Sequence, residues 1–128
     1  MTVLCDTQSY IWAVENDPRL TEKARDTLGQ LTIEKYLSIG SVWEMTIKVS
    51  IGKLQLQTSI EEMIEKSLAE NAIRLLDIKL SHLKTLQSLP YYHRDPFDRL
   101  IVAQALSQGL PIVSSDANLN LYGVTRIW

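Results

Sequence analysis

The sequence predicts an α/β sandwich in which a mostly parallel sheet of about five strands is flanked by helices. Three observations lead there. The strand-like runs are continuous apolar stretches, not polar/apolar alternations, as expected of strands buried on both faces. Stretches of helical period separate them and supply the crossovers that a parallel sheet needs. The chain has 128 residues, the size of one compact domain spanning 1–128.

The elements follow in order. "TVLCD" (2–6) is the first strand and "TEKARDTLGQ" (21–30) a short helix. "KYLSI" (35–39) is the second strand. In "SVWEMTIKVSIG" (41–52), Val42, Met45 and Val49 fall at helical spacing, and Gly52 is placed to stop the helix. Trp43, Ile47 and Ile51 form a second stripe, compatible with an interface or with full burial. "TSIEEMIEKSLAEN" (58–71) places Ile60, Met63, Ile64 and Leu68 behind a Thr-Ser cap. "IRLLDI" (73–78) is a strand and "LSHLKTLQSL" (80–89) a helix in which His82 is expected to be exposed. "DPFDRLIVAQALSQG" (95–109) opens on Asp-Pro and closes on Gly109, the marks of a well-delimited helix. "PIVSS" (111–115) and "VTRIW" (124–128) complete the strands.

Composition removes several classes of function. Hydrophobic residues make up 45% of the chain, enough for a core, but no uncharged apolar run reaches membrane-spanning length. The N-terminus lacks the basic and apolar regions of a signal peptide. One cysteine, Cys5, excludes an internal disulfide framework and a cysteine-based zinc site, and reads as a small core residue in a reducing cytoplasm. A net charge of −2 provides no global basic field for nucleic acid.

Four acids stand where open α/β sheets concentrate function, at strand ends and helix starts. Asp6 ends the first strand, Asp116 follows "PIVSS", and Glu44 and Asp98 lie in first helical turns. Each also has a structural account. Ser41 and Glu44 form a capping-box pattern. Asp95 suits an N-cap, Pro96 the first helical position and Asp98 the favourable end of the helix dipole. Together, however, the acids imply more than caps. A cap is worth about 1 kcal/mol, whereas two carboxylates about 4 Å apart repel by roughly 4 kcal/mol at an effective dielectric near 20. If the four converge, cations must sit among them, and Mg²⁺ or Mn²⁺ suits oxygen ligands.

The segments "VLCDTQSYIW", "SIGSVWEMTIKVSIGKL", "YYHRDPFDRLIVAQA" and "PIVSSDANLNLYGV", in this order, resemble PIN-domain ribonucleases, most closely the VapC-type toxins of prokaryotic toxin–antitoxin pairs. The resemblance spans nearly the whole chain and implies a PIN-like three-layer sandwich. It also implies a metal site formed by Asp6, Glu44, Asp98 and Asp116, with Ser114 in a supporting hydroxyl position. The activity implied is endonucleolytic hydrolysis of RNA by metal-activated water. The partners implied are RNA, a cognate antitoxin and a second copy of the chain in a homodimer. Relatives often carry His two residues after the first Asp, where this chain has Gln8, which cannot act as a base.

The remaining candidates are weaker. No Ser-His-Asp or Cys-His set is evident, and His93 lies beside the acidic segment in sequence. Lys48, Lys53, Arg94 and Arg99 flank the acids as possible phosphate contacts. Trp43 reads as core, while Tyr91 and Tyr92 are the better base-stacking candidates. A phosphoacceptor receiver domain is disfavoured because Asp77 falls too early, still within a strand. A PIN-fold module that binds RNA or protein without cutting is the alternative function.

Overall fold

The computed structural model describes all 128 residues. Five strands form one wholly parallel sheet: β1 (Thr2–Cys5), β2 (Glu34–Ser38), β3 (Ile73–Leu76), β4 (Ile112–Val113) and β5 (Arg126–Ile127). Their spatial order is β3-β2-β1-β4-β5. The chain starts at the centre, builds outward through β2 and β3, then returns to the other side of β1. A topological switch point therefore lies between β1 and β4, where crossovers leave in opposite directions and a crevice opens. In register, Cys5 faces Leu37 on one side and Val113 on the other.

Alternation along the strands feeds two cores. Val3, Cys5, Leu37, Ile73, Val113 and Ile127 point to one side and pack beneath α1 (Thr7–Val14), α2 (Glu22–Gly29), α3 (Ile39–Ser50) and α4 (Ile60–Asn71). Leu4, Leu76 and Ile112 point to the other, beneath α5 (Leu80–Gln87), α6 (Pro96–Gln108) and a 3₁₀ helix at Ala117–Tyr122. This is the expected three-layer sandwich. Helix α6 is buried continuously from Arg99 to Ala105 and ends on Gly109, whose φ of 66° is left-handed.

Several expectations need correction. Helix α1 was not anticipated, because Asp6 reads equally well as a strand terminus; it is in fact the N-cap of α1. The last two strands are only two residues long, although their flanking segments continue the hydrogen bonding. In α3 the helix begins at Ile39 under an Ser38 cap, one turn earlier than the S-x-x-E pattern implied. Ser41 is therefore not a cap, and Glu44 lies in the second turn. Trp43 is 58% exposed, with Ile47 and Ile51 also at the surface, so α3 is not fully buried. The periodicity also overextends at Val49 and Leu68, both exposed; Met45 and Met63 carry the burial on those helices, with Ser67 taking an inward position. His82 is 1% exposed, not solvated: its Nδ1 accepts the Lys79 N–H and its Nε2 meets Gln108 Oε1. Those partners satisfy the ring as α5 packs against α6.

Candidate metal centre

The site is built from the residues that follow β1 and β4, on either side of the switch point. Asp6 leaves β1, and its Oδ1 accepts the Ser9 N–H at 2.7 Å. Asp116 follows β4 and caps the 3₁₀ helix, its Oδ1 accepting the Asn118 N–H at 2.9 Å. Between β4 and Asp116, the wholly buried Ser114 accepts the Asp116 N–H at 3.0 Å through Oγ. Its hydroxyl also faces Asp6 and favours the charged form of that carboxylate.

Two helices complete the site. Glu44 projects from α3, where Thr7 Oγ1 donates to Oε1 at 2.7 Å and Lys48 Nζ donates to Oε2 at 2.9 Å. Thr7 Oγ1 also lies 2.9 Å from Ser41 Oγ, which accounts for a buried Ser41 that does not cap its helix. At the start of α6, Asp95 Oδ1 accepts the N–H groups of Phe97 and Asp98, at 2.8 and 3.1 Å, with Pro96 at the first helical position. Asp95 therefore does the capping. The Asp98 carboxylate takes no amide, and its closest polar partner is His93 Nε2, 3.2 Å from Oδ2.

All four sequence-selected acids line one open cleft of about 210 Å³, joined by Thr7, Gln8, Lys48, Asp95 and Ser115, with no hydrophobic residue in its wall. Five carboxylates thus face a single lining ammonium. The electrostatic consequence is direct. Burial pushes Asp98 up to about 7; Asp95, Asp6 and Glu44 push the same way, and His93 opposes them. Burial likewise raises Asp6 from the ordinary carboxylate range, against hydrogen bonds from Ser114 and Ser9. Two carboxyls pushed towards protonation, chiefly by burial, among three further acids form an oxygen-rich donor set deficient in positive charge. Such a set fits a hard divalent cation. Within it, His93 Nε2 and one oxygen each of Asp98 and Asp116 lie within 4.8 Å of one another.

A model of the PIN domain matches residues 3–124. The chain belongs to the PIN-domain family. Solved structures similar to this PIN domain include VapBC2 from Rickettsia felis bound to a DNA fragment from their promoter. The two share 12% identity at a TM-score of 0.74, over 98% of this chain and 97% of that one. FitAcB from Neisseria gonorrhoeae shares 20% identity at a TM-score of 0.66, over 98% and 96%. FitAB bound to an IR36 DNA fragment shares 20% at 0.68, over 98% and 93%. At these identities the likeness is one of fold. The curated proteins give no match. No helix of this PIN domain is long and apolar enough to cross a membrane.

Around the cleft, the structure sorts the remaining candidates. His93 enters the acid cluster directly, 2.8 Å from Asp116 Oδ2, and was not among the expected site residues. Its position five residues before Asp98 was the available signal. Gln8 is exposed and lines the cleft. Of the basic residues, only Lys48 lines it; Lys53 and Arg94 are exposed elsewhere. Arg99 is buried, donating to the carbonyls of Pro90 and Leu89, so it braces the loop and is not a surface phosphate contact. Trp43 packs edge-to-face with Phe97 at 5.1 Å, next in sequence to Glu44 and Asp98 respectively. Tyr91 is exposed, with the Arg99 guanidinium 3.8 Å from its ring centroid. Asp77 lies after β3 and does not line the cleft, which removes the receiver-domain reading.

Proposed function

We propose that this PIN domain is a divalent-metal-dependent endoribonuclease and the VapC-type toxin of a toxin–antitoxin pair. The observation that carries the reading is the convergence of Asp6, Glu44, Asp98 and Asp116, from four separate segments, on one cleft without a hydrophobic wall. The fold likeness to VapBC2 and to the FitAB structures supports it, as does the sequence resemblance.

Asp6, Asp98 and Asp116 would hold Mg²⁺ or Mn²⁺, with Glu44 joining through an oxygen now shared with Thr7 or Lys48. When bound, such an ion supplies Lewis acidity at a phosphate and lowers the pKa of water for in-line hydrolysis. The protein's own residues provide the rest. Ser114 fixes the backbone at Asp116, and the Asp95 cap fixes the first turn from which Asp98 projects. Lys48, half-exposed at the cleft, offers its ammonium to an RNA phosphate. The cognate antitoxin, and self-association as a homodimer, belong to this reading as partners of the chain.

The test is cleavage of total RNA with Mg²⁺ or Mn²⁺, with EDTA, and with Asp98→Asn. The expected result is cleavage only by the wild type and only with the ion. Cleavage undiminished in EDTA would remove the metal from the reading. RNA retained with Mn²⁺ but never cut would replace the enzyme with a binding module.

A further inference from the structure

The loop before α6 presents an imidazole to the acids, and its hydrogen bonds determine which nitrogen faces them. The Asp95 N–H donates to His93 Nδ1 at 3.1 Å. That nitrogen must therefore carry a lone pair, which leaves the ring proton of the neutral form on Nε2. Nε2 in turn lies 2.8 Å from Asp116 Oδ2 and 3.2 Å from Asp98 Oδ2. His93 thus faces the cluster as a donor. A nitrogen that carries a proton has no lone pair for a metal, so direct ligation would first require breaking the Asp95 bond.

The loop is fastened so as to hold that orientation. The His93 N–H donates to the Tyr122 hydroxyl at 2.8 Å. Arg99, buried in α6, ties down the carbonyls of Leu89 and Pro90 just upstream. Two elements therefore hold the loop backbone, and the Asp95 N–H on Nδ1 holds the ring itself.

We propose that His93 is a positioning residue that sets divalent-ion affinity by pre-orienting the Asp116 carboxylate beside Asp98 through its Nε2–H, without itself ligating the ion. The Nε2–H fixes Oδ2 of Asp116 while Asn118 fixes Oδ1, so that carboxylate has little rotational freedom left to lose on binding. Donors of this kind, one shell out from the ion, commonly change metal affinity 10- to 100-fold when removed, by rough precedent. The inference rests on the metal site proposed above.

The experiment is Mn²⁺ titration of the full chain by calorimetry, with pulsed electron paramagnetic resonance on the bound ion. His93→Ala should weaken Mn²⁺ binding about 10- to 100-fold, and Tyr122→Phe, which removes the loop's acceptor, should weaken it less. His93→Gln, which retains an N–H donor on a side chain of similar reach, should recover part of the loss. The wild-type spectrum should show no coupling from a directly bound imidazole nitrogen. Strong nitrogen coupling that disappears in His93→Ala would make His93 a ligand and overturn the proposal. Unchanged affinity in a folded His93→Ala protein would also overturn it, while leaving the metal site intact. Failure of the wild type to bind Mn²⁺ at all would overturn both readings.

Discussion

Asp98 and Lys48 show how the cleft's charge imbalance acts on single residues. With Asp98 raised to about 7 by burial and its acidic neighbours, the metal-free folded state holds a proton that the unfolded chain has released above about pH 4. By linkage, metal-free stability should fall as pH rises from about 4 to about 7, and Asp6, also raised, adds in the same direction. Asp17 has the opposite sign: Arg19, donating at 2.8 Å, lowers it to about 2, so its contribution is lost only below about pH 4. The two windows do not overlap. Thermal unfolding in EDTA across pH 4.5–8 should therefore show Tm decreasing with pH, and saturating Mg²⁺ should remove or reverse the slope, because the ion competes with protons for the same oxygens. A flat profile in EDTA would contradict this. Lys48 carries a separate prediction. Lys48→Met should weaken RNA binding and reduce the salt slope by about 0.7, the value for one phosphate contact on a single strand. Because it also frees Glu44 Oε2, it should not weaken Mn²⁺ binding; titrations with RNA and with Mn²⁺ would separate the two effects.

At the scale of elements, the site depends on α3 and α6 lying close enough for Glu44 and Asp98 to face one cleft. Gly40 makes that approach possible: a Cβ there would stand 2.5 Å from Leu100 Cδ2. Gly40→Ala should cost about 1–3 kcal/mol through overpacking. Leu100→Val, which withdraws the clashing methyl, should recover part of that loss in the double mutant; additive losses in chemical denaturation would show that the contact does not control the packing. The same helices show what was legible in the sequence. Asp-Pro and Gly109 delimited α6 because capping and chain reversal are local chemistry. The start of α3 was misplaced because Ser38 and Ser41 are both competent caps, and only burial of Ser41 against Thr7 decides between them. Helix α1 was missed because an Asp after an apolar strand looks the same whether it ends that strand or starts a helix. His82 is buried for a tertiary reason, and Lys35 is a second case of the same kind. Lys35 is fully buried in β2 with its ammonium on the carbonyls of Leu28 and Gln30, partners that no periodicity displays.

Across the whole molecule, the sheet order explains why residues distant in the chain meet. β1 and β4 are neighbours at the switch point, so Asp6 and Asp116 emerge side by side, and the crossovers bring α3 and α6 over the same edge. The fold class and the four acids could be read from apolar runs and motif order. The bond from the His93 imidazole to Asp116 depends on a three-dimensional neighbour and could not, whereas Lys48, four residues after Glu44 on one helix, was within reach of the sequence. A net charge of −2 provides no diffuse basic surface, so on the proposed function RNA would need local contacts such as Lys48. The most direct measurement of the central claim is thermal unfolding of the wild type and Asp98→Asn at pH 8, with and without Mn²⁺. If the acids are tolerable together only with a cation, Asp98→Asn should be the more stable protein in EDTA, with the higher Tm. Mn²⁺ should then raise the wild-type Tm and leave that of the variant nearly unchanged. A variant less stable than the wild type in EDTA, together with no response of either protein to Mn²⁺, would contradict the account.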